Sequence, residues 1–352
     1  MRFRRLVPVA LAAAVVLGAC GSDNSSSGSG PSSASSGEKV TLRLGYFPNI
    51  THATALVGVE NGIFADKLGP NVTLQTQTFN AGPNAIDALF AESIDATYVG
   101  PNPAINGYVK SKGAALRIVS GATSGGASLV VAPSITGPAD LKGKTLATPQ
   151  LGNTQDGALR AWLKKNGLNA DTSGGGDVSI KPQDNAATLD AFKQGQLQGA
   201  WVPEPWATRL VQEGGGKVLV NEADLWPNGQ FVTTQLVVRT AFLKDHPDAV
   251  KKLLEGQVAA NDYVNKNPAE AHKAANDQIE KITQKRLSDA VVAAAWKNLT
   301  FTNDPIASSL KKSADDAVSL GLLEQPDLTG IYDLILLNQV LEAQGQPDVS
   351  GL

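Results

Sequence analysis

Cysteine is all but absent, with Cys20 the only one in 352 residues. One thiol builds neither a disulfide framework nor a thiolate zinc site. The three histidines, His52, His246 and His272, lie far apart and outside any His-Glu-x-x-His spacing, so no metal centre is expected. Clustered cations are missing too. A formal charge of −3 without a basic stripe argues against nucleic acid as a partner. There is no Gly-x4-Gly-Lys-Ser/Thr loop, so the chain is not itself a P-loop ATPase. No Ser/His/Asp order or carboxylate pair stands out for catalysis. Beyond the first twenty residues no run of 18 apolar residues occurs, so nothing later enters a membrane.

What is present begins at the first residues. Arg2, Arg4 and Arg5 precede an apolar run over 6–17, and Leu17-Gly18-Ala19 leads into Cys20. A cationic head, a short apolar stretch and small residues before a cut read as a secretory signal over 1–19. The run is too short for a spanning helix, which takes about 20 residues. The residues before the cysteine resemble a bacterial lipobox, which implies that Cys20 is lipidated and becomes the new N-terminus. Losing the three arginines takes the formal charge from −3 to −6. The stretch 20–37 is then mainly Ser and Gly, too polar to offset the entropy of ordering. It is expected to be a disordered tether of roughly 20–25 Å. The expected location is extracytoplasmic, anchored to the cell membrane through Cys20.

From 40 to about 133, strand-like and helix-like patterns alternate. Strands are expected at 41–47, 72–79, 96–99, 116–120 and 128–132. Helices are expected at about 52–63 and after Asn84, where Ile86, Leu89, Phe90 and Ile94 share a face. Pro133, Gly137 and Pro138 interrupt this, and the alternation resumes. Strands are expected at 144–148, 178–183 and 199–202, with a helix from Thr154 to Asn166 closed by Gly167 and another capped by Asn185. Such alternation predicts α/β units with mainly parallel sheets. Each half also runs helix, short strand, aromatic-Val and Pro-x-Pro: Tyr98-Val99 before Pro101-Asn102-Pro103, and Trp201-Val202 before Pro203-Glu204-Pro205. In open α/β sheets ligands bind beyond such strand ends. A strand at 231–239 is expected to cross back to the first lobe. Helices follow at 250–264, 287–296, 308–320 and 328–343, with Pro247, Pro268, Pro305 and Pro326 near helix starts. Lobe 1 is thus 38–135 plus 238–352, lobe 2 is 136–237, and crossings near 134–140 and 232–242 form a hinge that closes on ligand.

Several stretches carry a family resemblance: Leu44-Gly45-Tyr46-Phe47-Pro48-Asn49, Gly58-Val59-Glu60-Asn61-Gly62-Ile63-Phe64, Asp95-Ala96-Thr97-Tyr98-Val99-Gly100, Asp140-Leu141-Lys142-Gly143-Lys144, and Thr148 to Thr154. The chain resembles the solute-binding lipoproteins of bacterial ABC importers, in the branch that handles aliphatic sulfonates, taurine and nitrate. The resemblance covers essentially the whole body after residue 37. It implies a two-lobed, type II periplasmic-binding-protein-like fold, each lobe a mainly parallel sheet flanked by helices, with a two-crossing hinge. It further implies a monomer without cofactor, a small anionic ligand, and a permease with a separate ATPase as partner.

A helix N-terminus binds a small anion without a cation, through unpaired N–H groups and a partial positive charge. Asn49, Thr51 and His52 stand at one such start, and Gly152, Asn153 and Thr154 at another, one per lobe. Asn49, Thr51, Asn153 and Thr154 are equally well explained as plain N-caps, and His52 as a helper donor. Ser120 and Thr123 add donors after a first-lobe strand. Gly100 and Asn102 belong to the first Pro-x-Pro loop, where Asn102 either caps its own helix or faces the cleft. Tyr98, Trp201 and, best, Trp206 are candidates to wall the cleft against an apolar part of the ligand, while Trp162 and Trp296 read as core. Glu204 either accepts from a ligand amine or caps the helix starting at Trp206. The resemblance implies a cleft lysine at nitrate-type sites, and these loops hold none, which favours a sulfonate; nitrate, bicarbonate or a thiamine-pyrimidine precursor is the alternative ligand. Desulfinases share the two-lobe fold, but their chemistry resembles a cysteine-dependent reaction, so an enzyme is not expected.

Overall fold

The computed structural model describes residues 39–352. The signal at 1–19, Cys20 and the tether at 20–37 lie outside the described residues. Eleven strands form two sheets: β1 (Val40–Tyr46), β2 (Val72–Thr78), β3 (Ala96–Val99), β4 (Leu116–Gly125), β5 (Ala127–Val131), β6 (Thr145–Thr148), β7 (Ser179–Pro182), β8 (Gly199–Pro203), β9 (Lys217–Asn221), β10 (Val232–Arg239) and β11 (Leu299–Phe301). The first sheet has the order β11-β4-β10-β3-β1-β2, the second β7-β6-β8-β5-β9. β1 pairs parallel with β2 and β3, and β10 antiparallel with β3 and β4, so β1 to β4 share one direction. In the second sheet β5 alone opposes its neighbours. Both sheets are mainly parallel.

Parallel strands feed helices onto both faces, and the burial follows. On β1, alternate Leu42, Leu44 and Tyr46 are buried against the helices Ala53–Glu60 and Pro247–Lys266. The opposite face is closed by Ile86, Leu89, Ile105 and Leu310 from three further helices. β3 is buried at every position, as a central strand must be. The second sheet likewise has an apolar cluster around Trp201 and Leu159 and another around Phe192 and Val202. Pro247 and Pro268 open their helices, where the missing N–H costs nothing.

The lobe boundaries differ from the expected 135/136 and 237/238. The chain leaves the first sheet at Gly125 and enters the second at Ala127. That one-residue passage is possible because Gly125 and Gly126 adopt φ of 82° and 75°, the left-handed region that disfavours a side chain. β5 therefore belongs to lobe 2, and β10 is wholly in lobe 1. The expected 134–140 crossing is instead a loop and short turn within lobe 2.

Three helix expectations are corrected too. The helix Gly82–Phe90 starts before Asn84, whose Oδ1 instead accepts from Gln150 Nε2 of the other lobe at 3.1 Å. Asp184, not Asn185, precedes the helix Asn185–Lys193. The last helix starts only at Ile335, because the segment before it lies extended along β4: Ile118 N–H donates to Ile331 O and Asp333 N–H to Ile118 O, at 2.8 and 2.9 Å.

Candidate functional site

Both Pro-x-Pro loops end at one small cavity of about 30 Å³ between the sheets. Lobe 1 supplies Asn49, Thr51 and His52 after β1, and Gly100 and Pro103 after β3. Lobe 2 supplies Pro149, Asn153, Thr154 and Gln155 after β6, and Pro203 at the end of β8. β10 adds Thr233 and Thr234. No lysine, arginine, aspartate or glutamate lines it.

On the lobe 1 side, a tight turn over Ile50–His52 joins β1 to its helix, with no side-chain cap. Asn49 is therefore not a cap. Its Oδ1 accepts from Trp206 Nε1 at 2.9 Å across the lobes, leaving its Nδ2 without a protein acceptor among the described residues. His52 stacks on Phe47, ring centroids 4.3 Å apart, and its Nδ1 accepts the Phe47 N–H at 3.4 Å. An accepting Nδ1 places the proton on Nε2. Burial pushes the imidazole pKa down to about 3. His52 is thus a neutral donor. In the unfolded chain it protonates near 6.5, so its contribution to stability is full above that pH and is lost progressively as pH falls towards 3. Denaturant unfolding at pH 7 and pH 4.5 should show an acid loss about 2–3 kcal/mol smaller in His52→Gln than in the parent.

On the lobe 2 side, Asn153 caps the helix Thr154–Lys165, its Oδ1 accepting the Asp156 N–H at 2.8 Å. That leaves the Thr154 and Gln155 N–H groups of the first turn without intrahelical acceptors. Asp156, fully buried, holds the preceding loop in shape. Its carboxylate accepts from Gly152 N, Thr148 Oγ1 and Arg160 Nε, each at 3.0 Å. Thr154 Oγ1, Asn185 Oδ1 and Thr234 Oγ1 are buried at the cavity without a partner.

Asn49, Thr51, His52, Gly100, Asn153 and Thr154 are thus brought together, and the other candidates stand apart. Asn102 packs against Gly157 of the lobe 2 helix, which has no side chain to displace it. Ser120 Oγ donates to Gly121 O at 2.7 Å, and Thr123 Oγ1 to Thr51 O at 2.8 Å, a buttress for the Thr51 turn. Gly152 serves the Asp156 carboxylate. Glu204 caps the helix Trp206–Gln212 through Thr208 N and Oγ1, both at 3.0 Å, and accepts from Asn298 Nδ2 at 2.7 Å. Burial raises its pKa against the pull of those donors. Tyr98 and Trp201 are core residues, bonded to Gln257 and Glu222. Trp206 faces a neighbouring chamber. Sequence reasoning missed Thr233 and Thr234; the available signal was the run Thr233-Thr234-Gln235 inside an otherwise apolar strand.

Comparison with known proteins agrees with this architecture. The NMT1-like family model matches residues 35–278. A Brucella abortus chain named, without a ligand, as a binding protein is 26% identical over 237 residues, 66% of this chain and 70% of that one. The taurine-binding periplasmic protein of Escherichia coli is 27% identical over 214 residues, 61% of this chain and 64% of that one. The alkanesulfonate-binding protein SsuA of Xanthomonas axonopodis bound to MOPS superposes with a TM-score of 0.68 at 20% identity, covering 83% of this chain and 96% of the other. The nitrate-binding protein NrtA of Synechocystis gives 0.70 at 18%, covering 88% and 90%. At such identities the superpositions establish the two-lobed periplasmic-binding fold. The Brucella and Escherichia relatives are both named as binding proteins. With its model matched over more than half its length, the chain belongs to the NMT1-like family.

Proposed function

We propose that this protein is the extracytoplasmic solute receptor of an ABC importer and holds an organosulfonate-type anion in the inter-lobe cavity. The observation that carries the reading is a pocket free of charged residues yet supplied with neutral donors from both lobes. His52 Nε2, Asn49 Nδ2 and the first-turn N–H groups at Thr154 and Gln155 are donors to an anion with low proton affinity. A buried polar atom without a partner costs about 1–3 kcal/mol. The unpaired hydroxyls of Thr154 and Thr234 are therefore positions that a ligand's oxygens would satisfy. Asn185 Oδ1, an acceptor, suits a ligand that also bears a donor, as taurine or bicarbonate does. That acceptor is what keeps bicarbonate as the second reading.

In this role the chain works as a monomer, tethered through lipid on Cys20, and delivers ligand to a permease driven by a separate ATPase. Hinge crossings at 125–127 and 222–231 would let lobes 39–125 plus 232–352 and 127–221 open and close. Thermal unfolding with taurine, alkanesulfonates, nitrate, bicarbonate and a thiamine pyrimidine tests the ligand. A true ligand at 100 times its dissociation constant adds about 2.7 kcal/mol of stability. Protection by nitrate or bicarbonate alone would sink the sulfonate reading, and turnover of any compound would sink the receptor reading.

A further inference from the structure

At its exposed rim the cleft is bridged by side-chain amides of lobe 1. Asn84 and Asn106 stand exposed on the helices Gly82–Phe90 and Pro101–Lys110. Asn106 Nδ2 donates to the Gly152 carbonyl of lobe 2 at 3.3 Å, and Gln150 Nε2 of lobe 2 donates to Asn84 Oδ1 at 3.1 Å. Asn80 Nδ2 reaches Asp184 Oδ2 at 3.5 Å. Ion pairs play no part in this seam. Among the described residues every one of them lies within a single lobe.

Asn84, Asn106, Gln150 and Gly152 are not part of the cavity wall. They bear instead on the loop 149–153, which leads into the helix Thr154–Lys165 and so presents Thr154 and Gln155 to the cavity. Asp156 holds this loop from within lobe 2, through Gly152 N–H. The two rim amides hold the same loop from lobe 1, and only these contacts have to break when the lobes part.

Resting on the receptor reading above, and not on the choice of anion, we infer that Asn84 and Asn106 form a clasp over the closed cleft. They are positioning residues that set how fast a bound anion is released, without touching it. The two contacts differ in polarity. Asn84 is an acceptor, so a carboxylate can take its place opposite Gln150. Asn106 donates to a backbone carbonyl, which cannot reverse its role, so a carboxylate there would face an oxygen.

Stopped-flow tryptophan fluorescence of the full chain tests this, with Trp206 as reporter because it bonds Asn49 across the lobes. Methanesulfonate, taurine, nitrate and bicarbonate are each offered, at about 0.15 M salt, where exposed charges are screened beyond roughly 8 Å. Asn84→Ala and Asn106→Ala should each speed release about 2- to 13-fold, the worth of one hydrogen bond. Association rate and melting of the unliganded chain should stay at the parent's values. Asn84→Asp should release at the parent's rate, and Asn106→Asp faster than Asn106→Ala. Release at the parent's rate in Asn106→Asp, or equal effects of aspartate at the two positions, refutes the clasp and leaves the receptor reading standing. If none of the four anions binds, the receptor reading and the clasp fall together.

Discussion

Gly100→Val should weaken ligand binding by about 5- to 150-fold, with a smaller loss of stability in the unliganded fold. The loop before Pro101 meets the other lobe with bare backbone. A Cβ at Gly100 would run into the Thr154 hydroxyl and stand 3.3 Å from Thr233 O. The backbone is no obstacle, since φ of −74° and ψ of 167° suit any residue. The Thr154 contact lies between the lobes and falls only on their closed arrangement, while the Thr233 O contact lies within lobe 1 and is present in both states. Forcing extra carbons into a packed contact costs about 1–3 kcal/mol, which sets the expected loss in affinity. Gly100→Ala should cost less, because the Thr154 side chain can turn aside. Paired measurements of melting and ligand titration separate the two states. Parent-like affinity in the valine variant would mean that ligand is bound without closure at this point.

The same loop shows what the sequence made legible. The alternation of strand-like and helix-like segments announced β1, β3, β6 and β8, and ligand sites in such folds follow the ends of strands. Asn49, Thr51, His52, Gly100, Asn153 and Thr154 could thus be chosen before any coordinates. Direction was not legible. Ser120 and Thr123 in β4 and Glu204 after β8 are equally polar, yet Thr123 turns to Thr51 O and Glu204 to Thr208 and Asn298. Nothing local tells a hydroxyl which way to face. The hinge escaped for a related reason. Pro133, Gly137 and Pro138 look like a boundary, whereas Gly125-Gly126 lies inside one continuous polar-to-apolar run, and only strand pairing shows that it changes sheets. Thr233 and Thr234 read as ordinary strand residues until β10 is placed beneath the cavity.

Asp156→Ala should be the most destabilising single change near the site. The Asp156–Arg160 pair is buried on both sides, at 0% and 2% side-chain exposure, with Nε and Oδ2 3.0 Å apart. Removing the carboxylate strands a guanidinium whose remaining partners are the Ala170 and Asp171 carbonyls. Breaking a buried pair from one side costs about 3–5 kcal/mol. It also frees Gly152 N and Thr148 Oγ1, so the loop that presents Asn153 and Thr154 loses its anchor. Stability and binding can then be separated. In the double variant Asp156→Leu with Arg160→Met both charges are gone, and replacing a buried pair with apolar residues is often close to neutral. Much of the stability should return, while affinity stays low because nothing draws the 148–153 loop inward. Recovery of affinity along with stability would show that the carboxylate only balances Arg160, and that the loop holds its shape without it.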